Sequence, residues 1–169
     1  MKKMPIEFYE VQRFRQWWVW LLMIGVNVLF LWGCVQQLLI RKPWGDNPMS
    51  DTGLIIVTVS MLLLSVAMFS TKLHTFVNNE GIYVKLFPLQ FRYKLYEWNN
   101  IQAVSVRKYN PLKSGGWGWK VSIDGTKYYS MSGNMGLQLV LMNGKKVLIG
   151  TRQPERLTDI LTRLGKMKN

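Results

Sequence analysis

The stretch WWVWLLMIGVNVLFLWGCV, residues 17–35, decides the architecture. It holds no charged residue. As a helix rising about 1.5 Å per residue it covers roughly 28 Å, close to the thickness of a bilayer's hydrocarbon core. Trp17, Trp18 and Trp20 cluster at one end, where indole rings favour the headgroup boundary. Gln36 and Gln37 mark the other end and Arg41 and Lys42 follow it, so the span is expected to run over about 17–39. A signal peptide is the competing reading. The apolar run is long for one, and no A-x-A-like site follows it. Leu31-Trp32-Gly33-Cys34 resembles a lipoprotein cleavage box, but bulky Trp32 stands where such boxes carry a small residue, and more apolar sequence follows Cys34.

Working outward, GLIIVTVSMLLLSVAMF at 53–69 is a second apolar run, near the short limit for crossing. Thr58, Ser60 and Ser65 within it can bond carbonyls of the preceding turn. The segment between the runs, RKPWGDNPMSDT at 41–52, is a tight turn segment rich in Pro and Gly and carries no net charge. Lys2, Lys3, Arg13 and Arg15 precede the first run, and a strongly basic segment follows the second. The positive-inside rule therefore predicts a hairpin with both termini cytoplasmic and the short loop outside. Asn27, in mid-span, is expected to bond across the hairpin, to Ser60 or Ser65, or across a homodimer.

The whole chain carries a net +13. From Ser70 onward there are 16 basic and 5 acidic residues, a net of +11. Such a charge implies an anionic neighbour: a lipid surface, nucleic acid or an acidic protein. In a membrane protein it also serves as the signal of the cytoplasmic side. Cys34 is the sole cysteine, so there is neither a disulfide framework nor a Cys-based metal site.

After Phe69 the pattern changes to strands and turns, defining a domain over 71–169 distinct from the hairpin of 1–70. Strands are expected over 71–77, 82–87, 91–95, 101–109, 117–123, 127–131, 137–142 and 145–149. Asp124-Gly125 and Asn143-Gly144 are strong hairpin turns. Pro154 suits a first helical position, and Leu157, Ile160, Leu161 and Leu164 form one apolar stripe. Gly165 is a natural stop. About seven short strands and one amphipathic closing helix describe a curled sheet or small barrel capped by that helix.

That order resembles the pleckstrin-homology-like (PH-like) fold, and most of all bacterial membrane proteins in which a transmembrane hairpin precedes such a domain. The residues carrying the resemblance are Gly81-Ile82-Tyr83, Pro88, EWNNI at 97–101 and NGKKVLIGT at 143–151. It covers roughly residues 70–165. It implies a fold and a place in the cell's inner (cytoplasmic) membrane as a multi-pass protein. It implies no enzymatic activity.

The residues agree in offering no catalytic constellation. His74 is the lone histidine, with no Cys, second His or carboxylate at metal-ligand spacing. Glu80, Glu97, Asp124, Glu155 and Asp159 are scattered, and Ser130 and Ser132 lack a G-x-S-x-G context. No enzyme and no cofactor are expected. SGGWGWK at 114–120 lacks the spacing and ending of a P-loop, and SGNMG at 132–136 is a second glycine-bearing loop. Both also read as plain turns with their tryptophans packed inward. Arg107, Lys108, Tyr109, Lys113, Trp117, Trp119 and Lys120 form the candidate lipid- or partner-binding set, since cations interleaved with tryptophans suit a headgroup boundary. The same mix suits single-stranded nucleic acid, but the membrane tether favours lipid. The expected function is a non-enzymatic membrane protein whose PH-like domain binds anionic lipid or a protein partner at the cytoplasmic surface. The alternative is an assembly subunit of a larger membrane complex. Homo-oligomerisation is compatible with either.

Overall fold

A computed structural model describes residues 6–14, 16–111, 116–122 and 124–167. Lys2, Lys3, Arg15, Lys113, Ser114, Gly115 and Ile123, which entered the sequence argument, lie outside the described residues. The chain forms two compact units: Gln16–Ser70, and Met1–Arg15 together with Thr71–Asn169.

The first unit holds α1 (Trp17–Cys34), continued by a π-helical turn over Val35–Leu39, and α2 (Asp51–Ser70). Both helices are long and apolar enough to cross a membrane. Only 11% of each apolar window is buried, so neither has the environment of a soluble protein's core helix. Three hydroxyl groups of α2 are satisfied within the helix. Thr58, Ser60 and Ser65 each donate to the carbonyl four residues earlier, at 2.7–2.8 Å. The Asn27 amide donates to Met23 O at 2.7 Å and to Ser65 Oγ at 2.8 Å, the cross-hairpin bond the sequence predicts. Gly33 is where the loop returns: a Cβ there would lie 2.7 Å from the Trp44 indole, and Trp44 meets Phe30 edge-on.

Among the described residues, the second unit contains nine strands and one α-helix. A four-stranded sheet has the order β1 (Phe8–Arg13), β2 (Lys72–Val77), β3 (Gly81–Phe87), β4 (Lys94–Glu97), all antiparallel. A 3-10 turn over Trp98–Asn100 leads into the second sheet. This sheet is built from β5 (Ile101–Lys108), β6 (Gly118–Val121), β7 (Lys127–Ser130), β8 (Met135–Leu141) and β9 (Lys146–Thr151), in the order β5-β8-β9-β7-β6. β7 and β9 pair in parallel; the other pairs are antiparallel. The two sheets do not close into one barrel, and the strands among the described residues number nine rather than about seven. The two hairpin turns fall where Asp124-Gly125 and Asn143-Gly144 put them, with Gly125 at φ 76° and Gly144 at φ 75°.

The inner faces of both sheets and α3 (Pro154–Arg163) share one core. Leu73, Ile82 and Leu86 come from the first sheet, Leu137, Leu139 and Ile149 from the second, and Leu157, Ile160 and Leu161 from α3. Leu164 packs at its margin, so the predicted stripe faces the core. At Gly81, on the β3–β4 seam, an added Cβ would collide with the Tyr96 carbonyl.

The strand that sequence reading did not supply is β1, which precedes the first apolar helix yet pairs along its whole length with β2, which follows the second. Its inward residues are Phe8, Glu10 and Gln12. Phe8 is 1% exposed. The Glu10 carboxylate accepts from Thr151 Oγ1 at 2.7 Å and from the Arg152 backbone N–H at 2.8 Å. Gln12 Nε2 donates to Gly150 O at 2.6 Å. The segment before the hairpin is thereby tied to the junction of β9 and α3.

Candidate functional site

The predicted binding residues are distributed over the second sheet. Arg107 is exposed near the end of β5, where its guanidinium donates to Gln138 Oε1 on β8 at 2.8 and 3.2 Å. Lys108 beside it is exposed. Tyr109 is buried; its backbone N–H donates to Asn134 O at 2.8 Å and its hydroxyl to Gly133 O at 3.4 Å. Burial pushes the Tyr109 phenol pKa up. Trp117 Nε1 donates to that same Gly133 carbonyl at 3.1 Å. Tyr109 and Trp117 thus meet on one acceptor, which joins the two glycine-bearing loops. Trp119 lies on β6 opposite Tyr129 and is 48% exposed. Lys120 Nζ donates to the Gly116 carbonyl and lies 5.5 Å from the Tyr128 ring centroid; burial lowers its pKa. Since β5 and β6 are the two outermost strands of the sheet, Arg107 and Lys108 stand on one edge and Trp119 on the other.

A second concentration of charge lies at the root of the β unit, where β1 runs out toward α1 and β2 begins after α2. A pocket of about 580 Å³ there is lined by Val11, Arg13, Phe14, Lys72, His74 and Arg152. Strand register and one backbone bond bring most of these residues together. Arg13 and Lys72 are direct antiparallel partners, as are Val11 and His74. Arg152 is brought in because its backbone N–H is held by Glu10. His74 Nδ1 lies 3.2 Å from the Tyr9 hydroxyl. Burial lowers the His74 pKa, and the charges on Lys85 and Lys72 lower it further, which favours the neutral imidazole. The fixed cations of the pocket are therefore Arg13, Lys72 and Arg152. Three cations converging on one concavity suit a phosphate or another compact anion.

Two further surfaces flank the first sheet. Its outer face carries an aromatic cluster: Phe76 stacks on Tyr83 at 4.3 Å between centroids and meets Tyr93 at 5.1 Å, while Lys85 Nζ sits 4.5 Å from the Tyr93 centroid. On the far edge, a cleft of about 460 Å³ is lined by Lys94, Lys127 and Lys145 around Tyr96, Leu141 and Val147, among others. Among the described residues, no group of three or more His, Cys, Asp and Glu side chains could hold a metal ion.

The architecture is that of a small two-sheet β protein interrupted by an apolar helical hairpin, with a cationic pocket at the strand ends that lead into the hairpin. The chain belongs to DUF6141, a family of unknown function, whose model matches residues 2–164. The match runs from before β1 to the end of α3, so the hairpin and both sheets fall within it. No curated protein matches the chain.

Proposed function

We propose that this is a non-enzymatic, multi-pass protein of the inner (cytoplasmic) membrane, whose β unit is of the PH-like type and binds anionic lipid headgroups at the cytoplasmic surface. The observation that carries the reading is the root pocket. Arg13, Lys72 and Arg152 converge there, and two of the three lie within four residues of an apolar helix. A cationic pocket tethered so closely in sequence to two apolar helices suits a lipid headgroup. The pairing of β1 with β2 supports the topology, because strands before and after the hairpin must share one side of the membrane. It also argues against a cleaved leader, since cleavage after the first run would remove β1. The excess of basic residues in the β unit favours the cytoplasmic side. The PH-like reading is supported by the antiparallel first sheet, the second sheet and the C-terminal helix packed into their common core.

The test is thermal unfolding of the full chain in mild detergent, with phosphatidylglycerol or phosphatidylcholine added. Phosphatidylglycerol is expected to raise the midpoint more. A cation near an anionic surface contributes about 1 kcal/mol, so replacing Arg13, Lys72 and Arg152 by Gln should weaken the lipid's apparent affinity roughly 100-fold. Equal shifts from both lipids refute the reading. The difference between lipids is the readout, so a general loss of stability in the variant does not imitate the result. A second reading, an assembly subunit of a larger membrane complex, is favoured by the aromatic outer face of the first sheet. Stoichiometric recovery of one partner from native membranes, lost on Phe76→Ser, is its signature.

A further inference from the structure

The turn between β3 and β4 is a second, apolar attachment of the β unit. We propose that Leu89 and Phe91 insert into the interfacial layer of the membrane that the hairpin crosses, with Arg92 and Lys94 at the phosphate level above them. The inference rests on the membrane reading above but requires neither the root pocket nor any anionic lipid.

The argument starts from register. Lys72, the first residue of β2, pairs with Phe87, the last residue of β3. Antiparallel partners have Cα atoms about 5 Å apart. Two peptide units separate Lys72 from Ser70, the last residue of α2, and cover at most about 7 Å. Phe87 therefore lies within about 12 Å of the end of the apolar helix, whatever angle the two units adopt. The turn leaves β3 from this point. On the other side of β2, Lys72 pairs with Arg13, which lies four residues before the start of α1. The β2–β3 turn, by contrast, lies at the opposite end of the same strands.

The chemistry of the turn fits that place. Leu89 is 68% exposed and Phe91 77% exposed, and Phe87 meets Phe91 edge-on at 5.8 Å. Exposing two large apolar side chains at a loop tip is unfavourable in water, and the hydrophobic effect drives them toward any adjacent apolar phase. Arg92 and Lys94 are exposed beside them, and Lys85 lies on β3 behind them. Residues 81–96 contain no acidic side chain at all. An apolar tip with a cationic collar matches the layering of a bilayer surface, where apolar groups sit about 5–10 Å deep and cations snorkel to phosphate. The neighbouring Gln90 is half-buried and its N–H donates to Leu86 O at 2.7 Å, which leaves the residues on either side of it facing out.

The experiment uses the full chain in lipid nanodiscs, which expose both faces. In a Cys34→Ser background, an environment-sensitive dye is attached at Phe91→Cys or, for comparison, at Asn79→Cys in the exposed β2–β3 turn. The dye at position 91 is expected to lose emission to a quencher carried on the lipids near the headgroup and to resist aqueous iodide. The dye at 79 is expected to do the reverse. A dye can itself favour insertion, so unlabelled chain supplies the second measurement. Trypsin cleavage after Arg92 should be suppressed in nanodiscs, and the double substitution Leu89→Asp, Phe91→Asp should lose that protection. Pure phosphatidylcholine discs should suffice, which separates this attachment from the headgroup binding proposed above. Iodide quenching at 91 equal to that at 79 overturns the proposal. So does protection at 91 from both quenchers, which would mean that protein, such as a second copy of the chain, covers the turn.

Discussion

Excising the hairpin tests whether the β unit is one folded body made from two segments. Arg13 and Lys72 are antiparallel partners, so their Cα atoms lie about 5 Å apart and a short Gly-rich turn can join them directly. A chain running from Phe8 through Arg13, a Gly-Asn-Gly linker and then Lys72 to Gly165 should fold as a β-rich domain without detergent. The same chain starting at Lys72 should not. It lacks Phe8, whose side chain is 1% exposed and whose removal, like a Phe→Ala change in a core, costs about 3–5 kcal/mol. It also lacks the Glu10 carboxylate, leaving Thr151 and the Arg152 N–H without their acceptor, at about 1.5–3 kcal/mol for a hydrogen bond to a charged group. Together these approach the whole stability of a domain this size, about 5–15 kcal/mol. Deleting β1 also uncovers the edge of β2, which invites aggregation. Far-UV circular dichroism, urea unfolding and size-exclusion chromatography read the outcome. If the two chains show the same unfolding midpoint, β1 is not part of the folded unit and the reasoning fails.

Other perturbations follow from single side chains. Leu161→Asp in the full chain should abolish cooperative unfolding of the β unit, since it sets an unpaired charge in a fully buried site; an unchanged midpoint would remove α3 from the core. His74 has a folded pKa below its unfolded value near 6.5, so the unfolded state binds more protons as pH falls; stability should be full above about pH 6.5 and decline below it, and His74→Gln should flatten that slope in melts across pH 5–8. Trp117→Phe, which removes the indole N–H that donates to Gly133 and trims the ring, should cost about 1 kcal/mol in urea unfolding of the full chain.

The parts of the fold legible in the sequence are those with one dominant local signal. The apolar helices are continuous hydrophobic runs, the two hairpin turns need a left-handed backbone that Gly125 and Gly144 permit, and Leu157, Ile160 and Leu161 repeat at helical spacing. β1 was illegible because its alternation is inverted. Tyr9 and Val11 face out while Glu10 and Gln12 face in, so hydropathy reports the wrong face. The distant partners Thr151, Arg152 and Gly150 bond the Glu10 carboxylate and the Gln12 amide N–H there. The parallel pairing of β7 with β9 also has no local signature, and it replaces the simple succession of hairpins that the turns imply. The candidate site followed the same rule. Trp117 is legible because it stands among glycines and Tyr109 because it follows two cations, while Arg13, Lys72 and Arg152 come together from three remote segments and form no motif.

The strand pairing across the hairpin also sets an order of events during synthesis. β1 leaves the ribosome first and has no partner until about 60 more residues have followed, roughly 3–12 s at 5–20 residues per second. On the membrane reading, both helices must enter the bilayer, and the chain must return to its starting side, before β2 can reach β1. A helix that inserts the wrong way strands the two on opposite sides of the membrane, with the carboxylate of Glu10 and the ring of Phe8 left unsheltered. Such a chain presents an unpaired strand to the quality-control proteases. Correct threading and correct folding are therefore read out by the same contact.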